Sequence, residues 1–405
     1  MAKQDRVLVI GAGVVGLTSA YYLNRAGYKV TVLERADSVA TEGSHANAGT
    51  LSSFRAQSWA SPASLLKFLG GFRRKDSVFR MRLTRDKGFL IWCVIFLRHC
   101  LPGATTGINA ELKALVIETQ EMLKELMGEL GGDFSLTQGG LYLVRSQDKI
   151  RKLQAQNGLS DSPGYARLLS AEGLLSLEPA LEQSQIEFSG GVYVEQDYSA
   201  DCQAFSSALG DYLRTKMGVK LLFARTVEEI RQTRQEVIVS TRDEDFRTDK
   251  AIICAGAATS LLSRNFGFDP KIYPIKGYSV TIPILKRSRV PSLFAVDEAA
   301  FVAYSTQGGS FRLASFVENA GFDRSLDDAA VEHLCNYASQ VAPGAFDLGA
   351  AEAHACLRPM TPGGSPVICK PRPDCNIWIN SGHGHKGWGI CCATAKRLTA
   401  LVEQI

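Results

Sequence analysis

Gly11-Ala12-Gly13-Val14-Val15-Gly16, close to the start of the chain, has the spacing GxGxxG. Glycines so placed suit a phosphate-bearing dinucleotide. Gly11 permits a tight turn, Gly13 lets backbone approach a pyrophosphate, and Gly16 lets a helix lie close on a strand. The N–H groups left free at the helix start then face the phosphates. Glu34 follows Gly16 by 18 residues, and its carboxylate can accept hydrogen bonds from ribose hydroxyls. An acid at that place argues against a 2′-phosphate, and so against NADP.

The spacing is a weak signal until the elements around it are considered. Asp5 to Ile10 ends in a β-branched apolar run and predicts a strand. A helix is expected from about Val14 to Ala26, stopped by Gly27, and a second strand from Lys29 to Leu33. This is one βαβ unit. NAD and FAD both bind such units, and a single copy at the extreme N-terminus favours FAD. Further along, residues 110–130 have helical periodicity and end at Gly131-Gly132, and Ala204 to Met217 predicts another helix. Strands are expected at Gly139 to Val144, Gly191 to Val194, Lys220 to Phe223, Glu236 to Ser240, Lys250 to Cys254, Tyr278 to Ile284, Phe311 to Ala314 and Ile377 to Asn380. A final helix is expected from Gly389 to Glu403. The order is α/β, then mixed, then β-rich, then α/β again. It suggests a nucleotide-binding domain built from separated segments with a substrate domain inserted between them.

Bulk properties agree. The 405 residues are long for one core, and 45% hydrophobic with 21% charged residues is ordinary for a globular protein. A net charge of +4 gives no reason to invoke nucleic acid. The ten cysteines show no paired CxxC spacing, so no metal is expected, and several sit in apolar runs as reduced thiols do. The N-terminal run meets glycine at once and does not resemble an export signal, which points to the cytoplasm. The most apolar stretch, Phe89 to Leu97, is shorter than the roughly 20 residues of a membrane-spanning helix. It has two readings: a buried helix, or a peripheral contact with the inner face of the cell membrane.

Further blocks stand at Ala46-Asn47-Ala48-Gly49, Asp201-Cys202-Gln203, Tyr273-Pro274-Ile275-Lys276-Gly277-Tyr278-Ser279, Leu357-Arg358-Pro359-Met360-Thr361-Pro362, and Ser381-Gly382-His383-Gly384 with Gly387-Trp388. With the N-terminal unit, they make the chain resemble, from about Arg6 to Leu401, the FAD-dependent D-amino acid dehydrogenases of the glycine oxidase and sarcosine oxidase superfamily. The resemblance implies a Rossmann-like α/β FAD-binding domain over 1–55, 198–268 and 351–405. It also implies an inserted α+β substrate domain, built on an antiparallel sheet, over 56–197 and 269–350. Noncovalent FAD would be held by Gly11, Gly13, Val14, Val15 and Gly16, by Glu34 and Arg35, and by Ser44, Asn47, Ala48, Gly49, Thr50 and Leu51. Val227, after Thr226, would meet the adenine, and Ala255 and Gly256 would pack near the same cofactor. The turn carrying Gly382, His383, Gly384, Lys386, Gly387 and Trp388 would cover the flavin's pyrimidine side.

The implied reaction is oxidative deamination. A hydride moves from Cα of a D-amino acid to flavin N5, water converts the imino acid to a 2-oxo acid and ammonia, and electrons pass to a quinone or another carrier. Such chemistry asks mainly for positioning. The substrate carboxylate needs a guanidinium fork, and Arg358 is the first candidate, with Arg312 second. Tyr278 and Tyr304 are candidates to donate hydrogen bonds or wall the pocket. Two departures from the dehydrogenases bear on this. Cys356 stands where they carry glycine and where monomeric sarcosine oxidases bond the flavin, so it is either a covalent anchor or a buried thiol. His385-Lys386 is similar to the sarcosine oxidase turn, whose lysine helps hold substrate carboxylate, so Lys386 either adds a second cation or points to solvent. Both keep open a second reading, an oxidase of glycine, sarcosine or a D-proline-type secondary amino acid that makes hydrogen peroxide.

Overall fold

The computed structural model describes residues 5–65, 78–82, 84–155 and 165–404. Arg6–Ile10 is a strand because Val7, Leu8, Val9 and Ile10 are apolar and all buried, as in a parallel strand covered on both faces. It pairs in parallel with Lys29–Leu33 on one side and Lys250–Ile253 on the other. Lys220–Leu222 extends this sheet beyond Lys29–Leu33, and Ile377–Ser381 then Val367–Cys369 extend it beyond Lys250–Ile253. Helices Val14–Arg25 and Gly387–Glu403 share one core, in which Leu17, Leu23, Trp388, Cys391 and Leu398 are buried. A second core joins Leu8, Ile10 and Ile253 to a small antiparallel sheet of Val227–Gln232, Val237–Thr241 and Asp245–Thr248.

The other large sheet has ten strands and is mostly antiparallel. Its longest strand is Tyr273–Pro283, next to the edge strand Glu352–Met360 and paired on its other side with Ser310–Glu318. The sequence marks only Tyr278 to Ile284 as strand. The structure joins Tyr273 to Gly277 onto it, with a shift of register between Lys276 and Tyr278. The hidden half contains a buried charge: Lys276 is 1% exposed and its ammonium lies 3.1 Å from Asp323. Glu352–Met360 has no alternating pattern either, since most of its side chains are half-buried on both faces. It pairs into the ten-stranded sheet, and the chain returns to the parallel sheet at Val367–Cys369. Helix Asp328–Val341 was likewise not foreseen; Asp327 caps it by accepting from the Ala330 N–H.

Helix Thr106–Leu130 begins earlier than its apolar periodicity suggests, because its first turns are polar. It buries Leu112, Leu115 and Val116 against Ile390 and Ala393 of the last helix. The apolar stretch 89–97 lies in helix Lys87–His99, capped by Asp86.

At Gly16 a Cβ would stand 1.9 Å from the Gly11 carbonyl oxygen, whereas at Gly128, inside helix Thr106–Leu130, it would meet nothing within 4 Å. Gly16→Ala is expected to cost about 1–3 kcal/mol or more through overpacking against backbone. Gly128→Ala is expected to be neutral or to gain up to ~1 kcal/mol from helix propensity. Urea unfolding of the two variants checks the contrast.

Candidate active site

A cavity of about 1000 Å³ runs between the two large sheets. One end is built by the glycine loop. Gly11 has φ +106°, and a Cβ there would come within 2.6 Å of the Cys254 carbonyl oxygen, so only glycine lets the two adjacent strands end side by side. Gly13 caps helix Val14–Arg25 in extended conformation, with no side-chain cap and no acid in the first turn. Ser44 instead reaches across, its hydroxyl accepting from the Val14 N–H at 3.1 Å. The start of this helix borders the cavity, where its positive dipole end suits an anion. Glu34 is held at this end by two backbone donors, the N–H of Ala12 at 2.6 Å and that of Ala36 at 3.0 Å. Arg35 pairs with Glu42 at 2.6 Å. Val227 and the preceding Thr226 border the same end.

The middle is walled by Ser44, Asn47, Ala48, Gly49 and Thr50. Asn47 accepts from the Gly49 N–H at 2.9 Å, and the Gly49 carbonyl accepts from the Trp388 indole at 3.2 Å. A Cβ on Gly49 would stand 2.6 Å from the Ala200 carbonyl oxygen. These contacts tie the loop to the start of the last helix. Facing it, Ala255 and Gly256 turn away from strand Lys250–Ile253, and the Ser381 hydroxyl donates to the Gly256 carbonyl at 3.2 Å.

The far end gathers Cys356, Arg358, His385 and Lys386. Arg358 leaves strand Glu352–Met360 with its guanidinium lying over Gly277, where a Cβ would be 2.2 Å from Nη2. Its Nη1 donates to the Phe316 carbonyl and its Nη2 to the Ser315 carbonyl at 3.1 Å. Among the described residues no carboxylate pairs with it. Burial lowers its pKa from the ordinary value, and the nearby Cys356 thiol partly opposes this. Burial also holds the Cys356 thiol above its usual range, against the pull of Arg358. Burial pushes Lys386 down to about 7. His385 sits well below its usual pKa through burial and the charges of Lys386 and Arg358, and its ring lies 5.7 Å from Trp59. His383 is pushed down to about 3 by burial, and its Nε2 bonds Thr394 at 3.0 Å. It is thus a neutral imidazole that pins the turn to the last helix.

Of the residues singled out by sequence, most cofactor candidates border this cavity. Gly16, Leu51 and Gly382 do not. Gly16 closes the helix onto the strand, Leu51 is core with its carbonyl bonded to Gln120, and Gly382 fits against Thr361. Arg312 is set apart as well: its Nε donates to Thr281 at 3.1 Å and its nearest acid is Asp201. Tyr278 borders the cavity, but its hydroxyl donates to buried Glu318 at 2.9 Å, and burial together with that carboxylate raises its pKa well above the ordinary value. Tyr304 is core, its ring against Phe311. Trp59 and Phe301 were not foreseen as wall residues; they lie in irregular segments where no periodicity marks them.

Comparison with known proteins follows this geometry. The family model described as FAD dependent oxidoreductase (DAO) matches residues 6–401. The chain belongs to this family. Its cofactor is FAD, and the cavity fits it, with a helix start that carries no acid, glycines where a Cβ would intrude, and the Glu34 carboxylate beside them. The chain is 36% identical to "D-amino acid dehydrogenase 2" of Mesorhizobium japonicum, covering 98% of this chain and 96% of that protein. It is 33% identical to the D-amino acid dehydrogenase of Cereibacter sphaeroides, covering 98% and 92%. Among solved structures, glycine oxidase from Bacillus cereus shares the fold with a TM-score of 0.73 at 18% identity, covering 99% of this chain and 95% of that one.

The Lys386 ammonium, pushed from 10.5 to about 7, binds fewer protons folded than unfolded between those values. Stability from this group therefore rises with pH across that window, and below it the folded state carries the full cost of a buried charge. Lys386→Met is expected to raise the melting temperature of the FAD-free protein at pH 6.5. Its advantage should shrink steadily toward pH 10, as thermal melts at several pH values will record.

Proposed function

We propose that this chain is a D-amino acid dehydrogenase, oxidising a D-amino acid to the imino acid, which water converts to a 2-oxo acid and ammonia. The observation that carries the reading is the Arg358 guanidinium. It is clamped by two carbonyls, lies at the cavity's flavin-turn end and has no acid partner among the described residues. A buried cation is costly unless an anion completes it. A substrate carboxylate supplies that anion and fixes Cα in place, and the names carried by the relatives in Mesorhizobium and Cereibacter supply the D configuration. Bound FAD supplies the hydride acceptor. Gly11, Gly13, Val14 and Val15 hold the pyrophosphate, Glu34 the ribose, and the turn from His383 to Trp388 the flavin's pyrimidine side. Lys386 adds positive charge where the reduced ring becomes negative.

Arg358→Ala should retain FAD while raising the substrate dissociation constant about 30- to 1000-fold, the ~2–4 kcal/mol of a lost charged pair. Anaerobic bleaching of the flavin reads this directly. In the unmodified protein, bleaching by D-amino acids with slow recovery in air supports the dehydrogenase. Bleaching by glycine or sarcosine with fast recovery and peroxide would make it an oxidase.

The reading extends to the electron acceptor, a quinone-type carrier reached at a membrane surface. Helix Lys87–His99 buries Phe89, Trp92 and Phe96 but turns Leu90, Ile91, Val94 and Leu97, each 40–53% exposed, outward. Leu101 continues that face, and Lys87, Arg98 and His99 flank it. An apolar face with basic flanks suits the interface of an anionic bilayer. Among the described residues no helix is long and apolar enough to cross a membrane. Leu90→Glu with Val94→Glu is expected to abolish co-sedimentation with phosphatidylglycerol-containing vesicles and to leave flavin bleaching by soluble substrate intact.

A further inference from the structure

Beside the main cavity lies a smaller one of about 80 Å³. Trp59, Ser64 and Phe301 border both, so the small cavity is a side lobe of the large one. Helix Lys87–His99 lines the lobe with Phe89, Trp92 and Phe96, and the sheet lines it with Ile275 and Val317. Among the described residues, Ser64 is the one polar side chain on the wall besides the Trp indoles, and the Trp92 indole is already committed to the Met360 carbonyl at 2.9 Å. Neither Arg358 nor Lys386 borders the lobe.

The lobe is placed relative to Arg358 by the sheet. Ile275 is the direct cross-strand partner of Arg358. Such partners share a face with Cβ atoms roughly 5 Å apart. The lobe therefore opens about one side chain away from the guanidinium. At its mouth stands Phe301, with φ +56°. A bulky residue in that region is a genuine outlier, held there only where the surroundings dictate it. Its ring lies 4.7 Å from Phe79 and 6.3 Å from Trp59, so the strained backbone serves to aim an aromatic ring at the junction of the two cavities.

We propose that this lobe receives the substrate's side chain, and that the chain selects D-amino acids with aliphatic side chains of about three or four carbons, with Phe301 setting the upper limit. The proposal rests on Arg358 anchoring the substrate carboxylate. Size follows from comparison: a cavity of about 150 Å³ holds benzene, so the lobe has room for roughly half as many carbons. Polarity follows from the wall: a charged side chain entering it would lose water and find no partner of opposite charge.

The test is anaerobic stopped-flow reduction of the FAD-loaded protein by D-alanine, D-valine, D-leucine, D-methionine, D-phenylalanine and D-aspartate. D-Leucine or D-methionine is expected to exceed D-alanine about 10- to 100-fold in reduction rate over dissociation constant, the span that a few methylenes give in an apolar pocket. D-Aspartate should fall below D-alanine. Phe301→Ala should raise D-phenylalanine relative to D-leucine at least about tenfold. Should that variant fail to hold FAD, Phe79→Leu opens the wall beside Phe301 and should shift the same ratio. D-Aspartate equal to or better than D-leucine would overturn the proposal. An unchanged ratio in a folded variant would do the same. Flavin that no D-amino acid reduces would instead remove the broader reading of Arg358 and leave the lobe's preference without a reaction.

Discussion

A guanidinium deep inside a protein must be held, shielded and answered by negative charge. Arg358 is held by the carbonyls of Phe316 and Ser315, and it is given room by Gly277 on the next strand. Backbone carbonyls satisfy its donors but leave its net charge unbalanced. Three strands must run in one register for this to happen: Ser310–Glu318 brings the carbonyls, Tyr273–Pro283 the glycine, and Glu352–Met360 the arginine. The ten-stranded sheet is thus the frame that keeps one cation fixed and unpaired.

The rest of the cavity's far end follows the same electrostatics. Lys386 and His385 lie on the turn before the last helix, and burial together with the charges of Lys386 and Arg358 depresses the His385 pKa. Two acids elsewhere on the wall are already engaged: Glu42 with Arg35 and Arg324, Glu298 with Arg55 and Lys149. Positive charge is therefore concentrated where an anionic substrate and a reduced flavin would meet, while the opposite end presents helix dipoles and the Glu34 carboxylate. The gradient along one cavity matches a ligand with phosphates and ribose at one end and a reacting ring at the other.

The two sheets are joined at the site by small contacts, each needing a particular residue. Trp388 bonds the Gly49 carbonyl, Met360 pairs with His383, and Gly384 leaves space for the Met360 sulfur. Helix Lys87–His99 adds a third layer. Its inner aromatics close the side lobe, and its outer aliphatic face is exposed.

What was legible in the sequence was local. The βαβ unit announced itself because an apolar run, three glycines and an acid fall within one short stretch, and hydrogen bonds between near neighbours suffice to build it. The long helix and the final helix were marked by their period, while the arginine in Leu357-Arg358-Pro359 was marked only by the resemblance to the family. What only the tertiary structure decided depends on residues far apart in the chain. Strand Glu352–Met360 carries no alternation, because its side chains serve a cavity on one side and a packed sheet on the other. Tyr278 and Arg312 sit on strands suited to a pocket, yet Glu318 takes one and Thr281 with Asp201 the other. Trp59, Ser64 and Phe301 become the junction of two cavities only once the chain has folded. Side-chain type and spacing determine which groups are available; burial and register determine which of them keep their charge and face the reacting atoms.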